Sequence, residues 1–329
     1  MITLNDYLYS GDTIFRILRK YSSDLRENAR ESGNRIDLAH SDFLLGIEDQ
    51  LEHNDFLTSQ SQRIREFYKY MAARYPYLAF TFKGRIKSLI RAEEKFNGYI
   101  VEYTTEYYQR CGSFPEVGEL VERVSRFRDL IAYRIVISMP KCHLKDGEDR
   151  EEVELKYLYE IASALPGFLA QRGFTPEPSG ITGNQSSPLL DEAVRPYYRD
   201  YVANQKSRGY RSLHIAFYDN QARCYIEVQL RTKQMDDYAE IGVANHAGYE
   251  AAQNQERARG SQVPAGECVY FDEAYGRGMA LQNLDLSKVD VNMFTAISSQ
   301  LINDGCGLYR GRLILPYEHL SRFQNDIVD

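Results

Sequence analysis

Leu130 to Ile137, L-I-A-Y-R-I-V-I, is an almost unbroken run of apolar and β-branched residues. A run of this kind needs cover on both faces, which places it inside a β-sheet rather than at a solvated margin. Arg134 sharpens the demand: a guanidinium buried without a partner is costly, so the strand must meet a counter-charge or a ligand. A second strand reads I-E-V-Q-L-R from Ile226. Its alternation turns Ile226, Val228 and Leu230 inward and puts Glu227, Gln229 and Arg231 on the other face. With L-H-I-A-F-Y (Leu213 to Tyr218) and the turn residues Asp219-Asn220 ahead of it, it reads as the second arm of a hairpin. The plainer reading of its polar face is a half-buried antiparallel strand facing water.

Around these strands the pattern is helical. Ile14, Ile17, Leu18, Tyr21 and Leu25 have helical spacing, with Gly33-Asn34 as the stop, and further helices are expected near Asp42–Leu51 and Ile64–Met71, the last limited by Pro76. Arg63, Arg65, Lys69 and Arg74 on that third helix read as a solvated face, with contact to an acidic partner as the alternative. After A-F-T-F-K-G-R, helical spacing resumes from Ile86 through Tyr99. Another helix is expected over Val153–Leu169, a long loop over Gly173–Pro188 and a helix over Met235–His246. Beyond Gln253 a polar linker leads to helical spacing over Val289–Leu301, then a Gly305-Cys306-Gly307 break, L-Y-R-G-R-L-I-L and a short last helix. Strands and helices without regular alternation indicate an α+β fold, a mixed β-sheet flanked by helices. The expected boundaries are a helical extension over residues 1–76, a central domain over 77–252 and a C-terminal extension over 253–329.

Forty basic against forty-seven acidic residues give a net charge of −7, which disfavours nucleic acid and anionic membranes as partners of the whole surface, DNA included. No apolar run approaches the roughly 18 residues of a membrane span, and M-I-T-L-N-D-Y lacks the order of a signal peptide, so a cytoplasmic location is expected. Five scattered cysteines fit reduced thiols, and none has zinc-ligand spacing.

Three groupings carry chemistry. Lys87, Arg91 and Lys95 recur at four-residue intervals, the spacing of one helix face, and suit a polyphosphate; the alternative is a solvated face balanced by Glu93 and Glu94. Asp129 precedes the buried strand and Glu227 lies on the other. Brought within about 4 Å the two carboxylates would repel by roughly 4 kcal/mol at an effective dielectric of 20, and Mg²⁺ between them would remove that penalty. Separate surface salt bridges are the alternative. Tyr210, following Gly209, is placed to stack on a base, and His214 and His246 suit packed, hydrogen-bonded roles. The lone Gly276-x-Gly278 is too weak a signal for a phosphate loop.

F-K-G-R-I-K-S with Lys95, F-R-D-L-I-A-Y-R, R-D-Y-V-A-N-Q-K-S-R-G-Y-R-S-L-H, I-E-V-Q-L-R-T-K-Q-M and A-E-I-G-V-A-N-H-A-G-Y-E together resemble the synthetase domain of the RelA/SpoT family, over about Phe80 to Glu250. The resemblance implies a nucleotidyltransferase-like synthetase fold and transfer of the β,γ-pyrophosphate of ATP to the 3′-hydroxyl of GDP or GTP, giving (p)ppGpp. It implies that Arg85 and Arg134 sandwich the adenine and that Lys87 and Lys95 hold ATP phosphates. Asp129 and Glu227 would bind Mg²⁺, Glu227 also taking the proton of the attacking hydroxyl. Tyr210 would stack on guanine, Arg199 and Lys206 would meet the acceptor's phosphates, and His214 and Gln229 would orient the substrates. Gln205, Arg208, Arg91, Ala247 and Glu250 depart from the common pattern, and those near Tyr210 bear on acceptor identity.

The chain has no His-Asp dipeptide of the kind that long relatives carry in a hydrolase domain, so it looks like a small synthetase without that activity. Related small enzymes assemble as homo-oligomers, often tetramers. Two other readings stand beside this one: a toxin that pyrophosphorylates the 3′ CCA end of tRNA, with an antitoxin as partner, and a non-catalytic nucleotide sensor.

Overall fold

The computed structural model describes residues 1–52, 54–125, 127–180, 186–204, 209–240, 263–264, 266–284, 307–309 and 312–314. Lys206, His246, the departures at Gln205, Arg208, Ala247 and Glu250, and the helix expected over Val289–Leu301 lie outside them. In chain order the elements are α1 (Asn5–Leu8), α2 (Ile14–Ser32), α3 (Arg35–Glu52), α4 (Asn54–Arg74), β1 (Ala79–Ile86), α5 (Leu89–Cys111), α6 (Val117–Ser125) and β2 (Ile131–Ser138). They continue with α7 (Arg150–Ala170), β3 (Phe174–Glu177), β4 (Tyr198–Asp200), β5 (Leu213–Asp219), β6 (Cys224–Thr232), α8 (Lys233–Glu240), α9 (Val269–Gln282), β7 (Gly307–Tyr309) and β8 (Arg312–Ile314). They form two compact units that do not follow the linear boundaries at 76 and 252: one contains Met1–Asn54, Lys87–Phe127 and Ala251–Gln300, the other Asp55–Ile86, Arg128–Glu250 and Leu301–Asp329.

The described elements of the first unit are helices. In α2, Ile14, Ile17, Leu18, Tyr21 and Leu25 are buried at the expected spacing, each apolar side chain contributing about 1.5–3 kcal/mol, and Gly33 ends the helix at φ 72°. α5 starts at Leu89 because the Ser88 side chain caps it, accepting from the Arg91 backbone N–H at 3.3 Å. Phe96 and Ile100 of α5 share a core with Leu120 and Val124 of α6 and Phe271 and Ala274 of α9. The stretch read as a polar linker therefore contains a helix, and Gly276 and Gly278 lie inside it. Its signal was masked by two helix-weakening glycines and resides in Phe271, Ala274 and Leu281, which are buried.

A buried polar network runs through this unit. Glu93 accepts from the Tyr21 hydroxyl at 2.8 Å and lies 2.6 Å from His40 Nε2, while Arg277 donates to Asp37 at 2.7 Å. Burial pushes the Glu93 carboxyl up, but the charge and hydrogen bond of His40, the bond from Tyr21 and the charge of Arg277 outweigh it and hold the group below its ordinary value. Glu93 is thus a core group, not part of a solvated face.

The second unit holds an eight-stranded sheet among the described residues, in the order β3-β5-β6-β2-β1-β8-β7, with β4 pairing β5. It is mixed: β2 and β6 are parallel and the other pairs antiparallel. Every residue of β2 is buried, as its composition requires. Two strands arise where the sequence suggested otherwise. β1 extends to Ile86, so helical spacing begins three residues later than expected. β3 lies within the expected long loop, where Pro176 is tolerated because the strand is at the sheet's edge. α4 also departs from expectation: Arg63 is buried, donating to both carboxylate oxygens of Asp219, at 2.9 and 2.5 Å, and to the Arg172 carbonyl.

Candidate active site

The polar residues of the sheet fall into transverse rows. Lys83, Arg134, Gln229, His214 and Arg199 are successive register partners across β1, β2, β6, β5 and β4, and two register positions along, Arg85, Ala132, Glu227 and Ala216 are partners across β1, β2, β6 and β5. Asp129 lies two residues ahead of the first residue of β2, as its position before the regular strand suggested. Parallel pairing of β2 with β6 is what sets Arg134 beside Gln229, and neither strand could specify it alone.

Glu227, Gln229 and Arg231 do share one face of β6, but that face is not solvated: they are 7, 5 and 3% exposed. Charge and amide groups out of water must be hydrogen-bonded, and here they close a ring. Glu227 Oε1 is 3.1 Å from His214 Nδ1, and Glu227 Oε2 accepts from Gln229 Nε2 at 2.7 Å. Gln229 Oε1 accepts from Arg231 Nη2 at 3.0 Å; that nitrogen also donates to the Tyr210 hydroxyl at 2.6 Å, and the hydroxyl lies 2.9 Å from His214 Nε2.

The proton positions follow from the acceptors. An ionised carboxylate only accepts, so His214 carries its proton on Nδ1, Nε2 accepts from Tyr210 O–H, and the phenol oxygen accepts from Arg231. Burial lowers the His214 pKa, outweighing the pull of Glu227 in the other direction, so the imidazole is neutral near pH 7. Burial would raise Glu227, but His214, the Gln229 hydrogen bond and the charge of Arg199 more than reverse this and hold the carboxyl well below its ordinary value. A carboxylate, an imidazole and a tyrosine anchored by a guanidinium thus stand in one hydrogen-bonded ring.

Gly209 makes the approach to Tyr210 at φ 73°, where an added Cβ would lie 3.2 Å from the Tyr238 hydroxyl. The Tyr210 ring meets Tyr201 and His214 edge-on, with centroids 6.2 and 6.0 Å apart. Arg134 donates to Asp236 at 2.9 Å, which supplies the counter-charge its buried strand requires, and Arg231 reaches the same oxygen at 3.3 Å. Asp236, in the first turn of α8, gave no sign of this in the alternation of the strands.

Lys87 and Lys95 belong to the first unit. Lys87 precedes α5 instead of lying on its face, and Arg91 turns to Glu94 at 2.7 Å, so the three cations do not form a stripe on one helix. The two ammonium groups nevertheless meet at one ring: they lie 6.0 and 5.6 Å from the centroid of Phe127.

Each oxygen of Glu227 accepts one hydrogen bond in the ring and keeps a lone pair for another partner. Among the described residues no group of three or more His, Cys, Asp or Glu could hold a metal. One or two carboxylates are what Mg²⁺ needs when substrate phosphates and water supply its other ligands. No described helix is long and apolar enough to cross a membrane.

Residues 189–254 match the family described as the region found in RelA/SpoT proteins. Over 120 residues the chain is 32% identical to a probable GTP diphosphokinase, chloroplastic, of Arabidopsis thaliana, covering 36% of this chain and 20% of that protein. Over 70 residues it is 45% identical to a GTP pyrophosphokinase of Escherichia coli K12, covering 21% of this chain and 9% of that one. The matches thus span a fifth or less of these relatives' length. Among solved structures, small alarmone synthetase 1 of Bacillus subtilis bound to its product pppGpp is 15% identical, with 69% of this chain and 93% of that chain covered and a TM-score of 0.30. A GTP pyrophosphokinase family protein of Streptococcus pneumoniae is 16% identical, with 75% and 96% covered and a TM-score of 0.31. These are distant likenesses. The closed ring from Tyr210 through His214, Glu227 and Gln229 to Arg231 lies within the stretch that matches the region found in RelA/SpoT proteins.

Proposed function

We propose that the chain is a Mg²⁺-dependent pyrophosphokinase that moves the β,γ-pyrophosphate of ATP to the 3′-hydroxyl of GDP or GTP. The observation that carries this reading is the placement of Glu227: a buried carboxylate fixed by His214 and Gln229, with a lone pair left on each oxygen. A base of this kind accepts the 3′-hydroxyl proton as the oxygen attacks the β-phosphorus; the bond from that phosphorus to the α,β-bridging oxygen breaks and AMP leaves. Asp129 and Glu227 would hold the magnesium ion, which supplies charge neutralisation of the phosphates.

His214 and Gln229 fix the carboxylate's direction through their hydrogen bonds. Arg134 and Arg85 are the proposed contacts of the adenine. Lys87 and Lys95 are proposed for the ATP phosphates, Arg199 and Lys206 for the acceptor's, and Tyr210 for the guanine. Assembly as a homo-oligomer is likewise proposed from the resemblance.

The test is incubation of the purified chain with labelled ATP and Mg²⁺ against GMP, GDP, GTP and tRNA in parallel. Label on GDP or GTP supports the reading. Label on tRNA alone replaces it with the tRNA-modifying one, and label on none with the sensor.

A further inference from the structure

Asp236 takes no part in the chemistry proposed above, yet it ties Arg231, a member of the ring, to Arg134 outside it. Its Oδ1 accepts from Arg134 Nη1 at 2.9 Å and from Arg231 Nη1 at 3.3 Å, and its side chain is 6% exposed against 10 and 4% for the arginines. Arg231 in turn holds the Tyr210 hydroxyl, Gln229 and Ser212 with its other nitrogens. Asp236 thus supplies the carboxylate that lets two guanidiniums stand side by side out of water.

We propose that Asp236 is a positioning residue that couples the ATP side of the site to the acceptor side: Arg134 and, through Arg231, Tyr210 are held by one carboxylate oxygen. The inference rests on the pyrophosphokinase reading for its substrates, but the linkage itself is a property of the protein alone. A planar guanidinium sharing a carboxylate with another has little freedom to turn, so displacing either arginine strains the other's hydrogen bonds. Occupation of one nucleotide subsite thereby prepares the other, which makes the two binding steps cooperative.

The experiment has two arms. In the first, wild type and Asp236→Asn are treated with phenylglyoxal, an arginine-specific dicarbonyl, without nucleotide, and the peptides are followed by mass spectrometry. Loss of the charge should speed modification of Arg134 and Arg231 about tenfold, with Arg16 as an exposed control. Equal rates at Arg134 in the two proteins would overturn the linkage, whether or not the chain proves to be an enzyme.

In the second arm, initial rates are measured with varied ATP and varied GDP. Asp236→Asn should raise both KM values about tenfold and leave kcat within about threefold, whereas a residue with only a folding role would lower the thermal midpoint and leave both KM values unchanged. Arg231→Lys guards against a variant that does not fold. It reaches Arg134 only through Asp236, and the ATP KM should rise with the GDP KM; a rise in the GDP KM alone would refute the coupling. A wild-type chain that labels no nucleotide would sink the pyrophosphokinase reading and leave the phenylglyoxal arm to decide the linkage.

Discussion

His214 donates from Nδ1 to Glu227 Oε1 across 3.1 Å, and both groups are nearly excluded from water. Both titrate below their ordinary values of 6.5 and 4.5, so as the pH falls the unfolded chain binds protons that the folded one refuses. The stability drawn from His214 is complete above 6.5 and is lost as the pH drops toward its folded value; that from Glu227 is complete above 4.5 and is lost below. Thermal midpoints recorded from pH 8 to pH 4 should therefore decline from near 6.5 downward. His214→Gln should flatten the first part of the decline, and an unchanged slope would show that another group is responsible.

Glu227→Gln keeps the shape of the side chain but removes the base. The rate of label transfer to GDP or GTP should fall about 10²- to 10⁴-fold, the span of general base catalysis. Measured at saturating ATP and acceptor, the loss should appear in kcat; a loss confined to KM would assign Glu227 to binding.

Arg63 and Asp219 form an ion pair whose carboxylate is fully buried. Arg63→Ala strands that charge, and the cost should be about 3–5 kcal/mol, read as a shift of the urea midpoint. The backbone N–H groups of Gln221 and Ala222 still hold Asp219, which favours the lower end of the range. A shift below about 1 kcal/mol would mean that the pair behaves as an exposed one.

Glu93 and Glu94 are neighbours in sequence with opposite fates. Glu93→Ala leaves the Tyr21 hydroxyl and His40 Nε2 without their acceptor in a sealed core and should cost about 3–5 kcal/mol. Glu94→Ala loses only the partly exposed pair with Arg91 and should cost less than about 1 kcal/mol. Parallel urea titrations of the two variants decide this, and equal losses would contradict the buried network.

Local pattern made several elements readable. The spacing of Ile14, Ile17, Leu18, Tyr21 and Leu25, the stop at Gly33 and the β5–β6 hairpin all appear where the sequence puts them, because capping, periodicity and turn chemistry act over a few residues. α9 and β3 escaped because their partners are distant in sequence. Phe271 is buried in a core shared with α5, and β3 exists by pairing with β5. Arg63 misled for the same reason: a basic residue on a helix reads as solvated until Asp219, far along the chain, meets it.

The sequence by itself determined that β2 is buried, that Glu227, Gln229 and Arg231 share a face of β6, and that Tyr210 and His214 lead into that hairpin, since alternation is a property of one strand. Only the tertiary structure decided that this face is dry, that β2 lies parallel to β6 with Arg134 level with Gln229, and that Asp236 gathers two arginines on one oxygen. Register and burial depend on which segments pack together, and the charge state of Glu227 and His214 follows from that packing, because removing water is what forces the polar groups to satisfy one another.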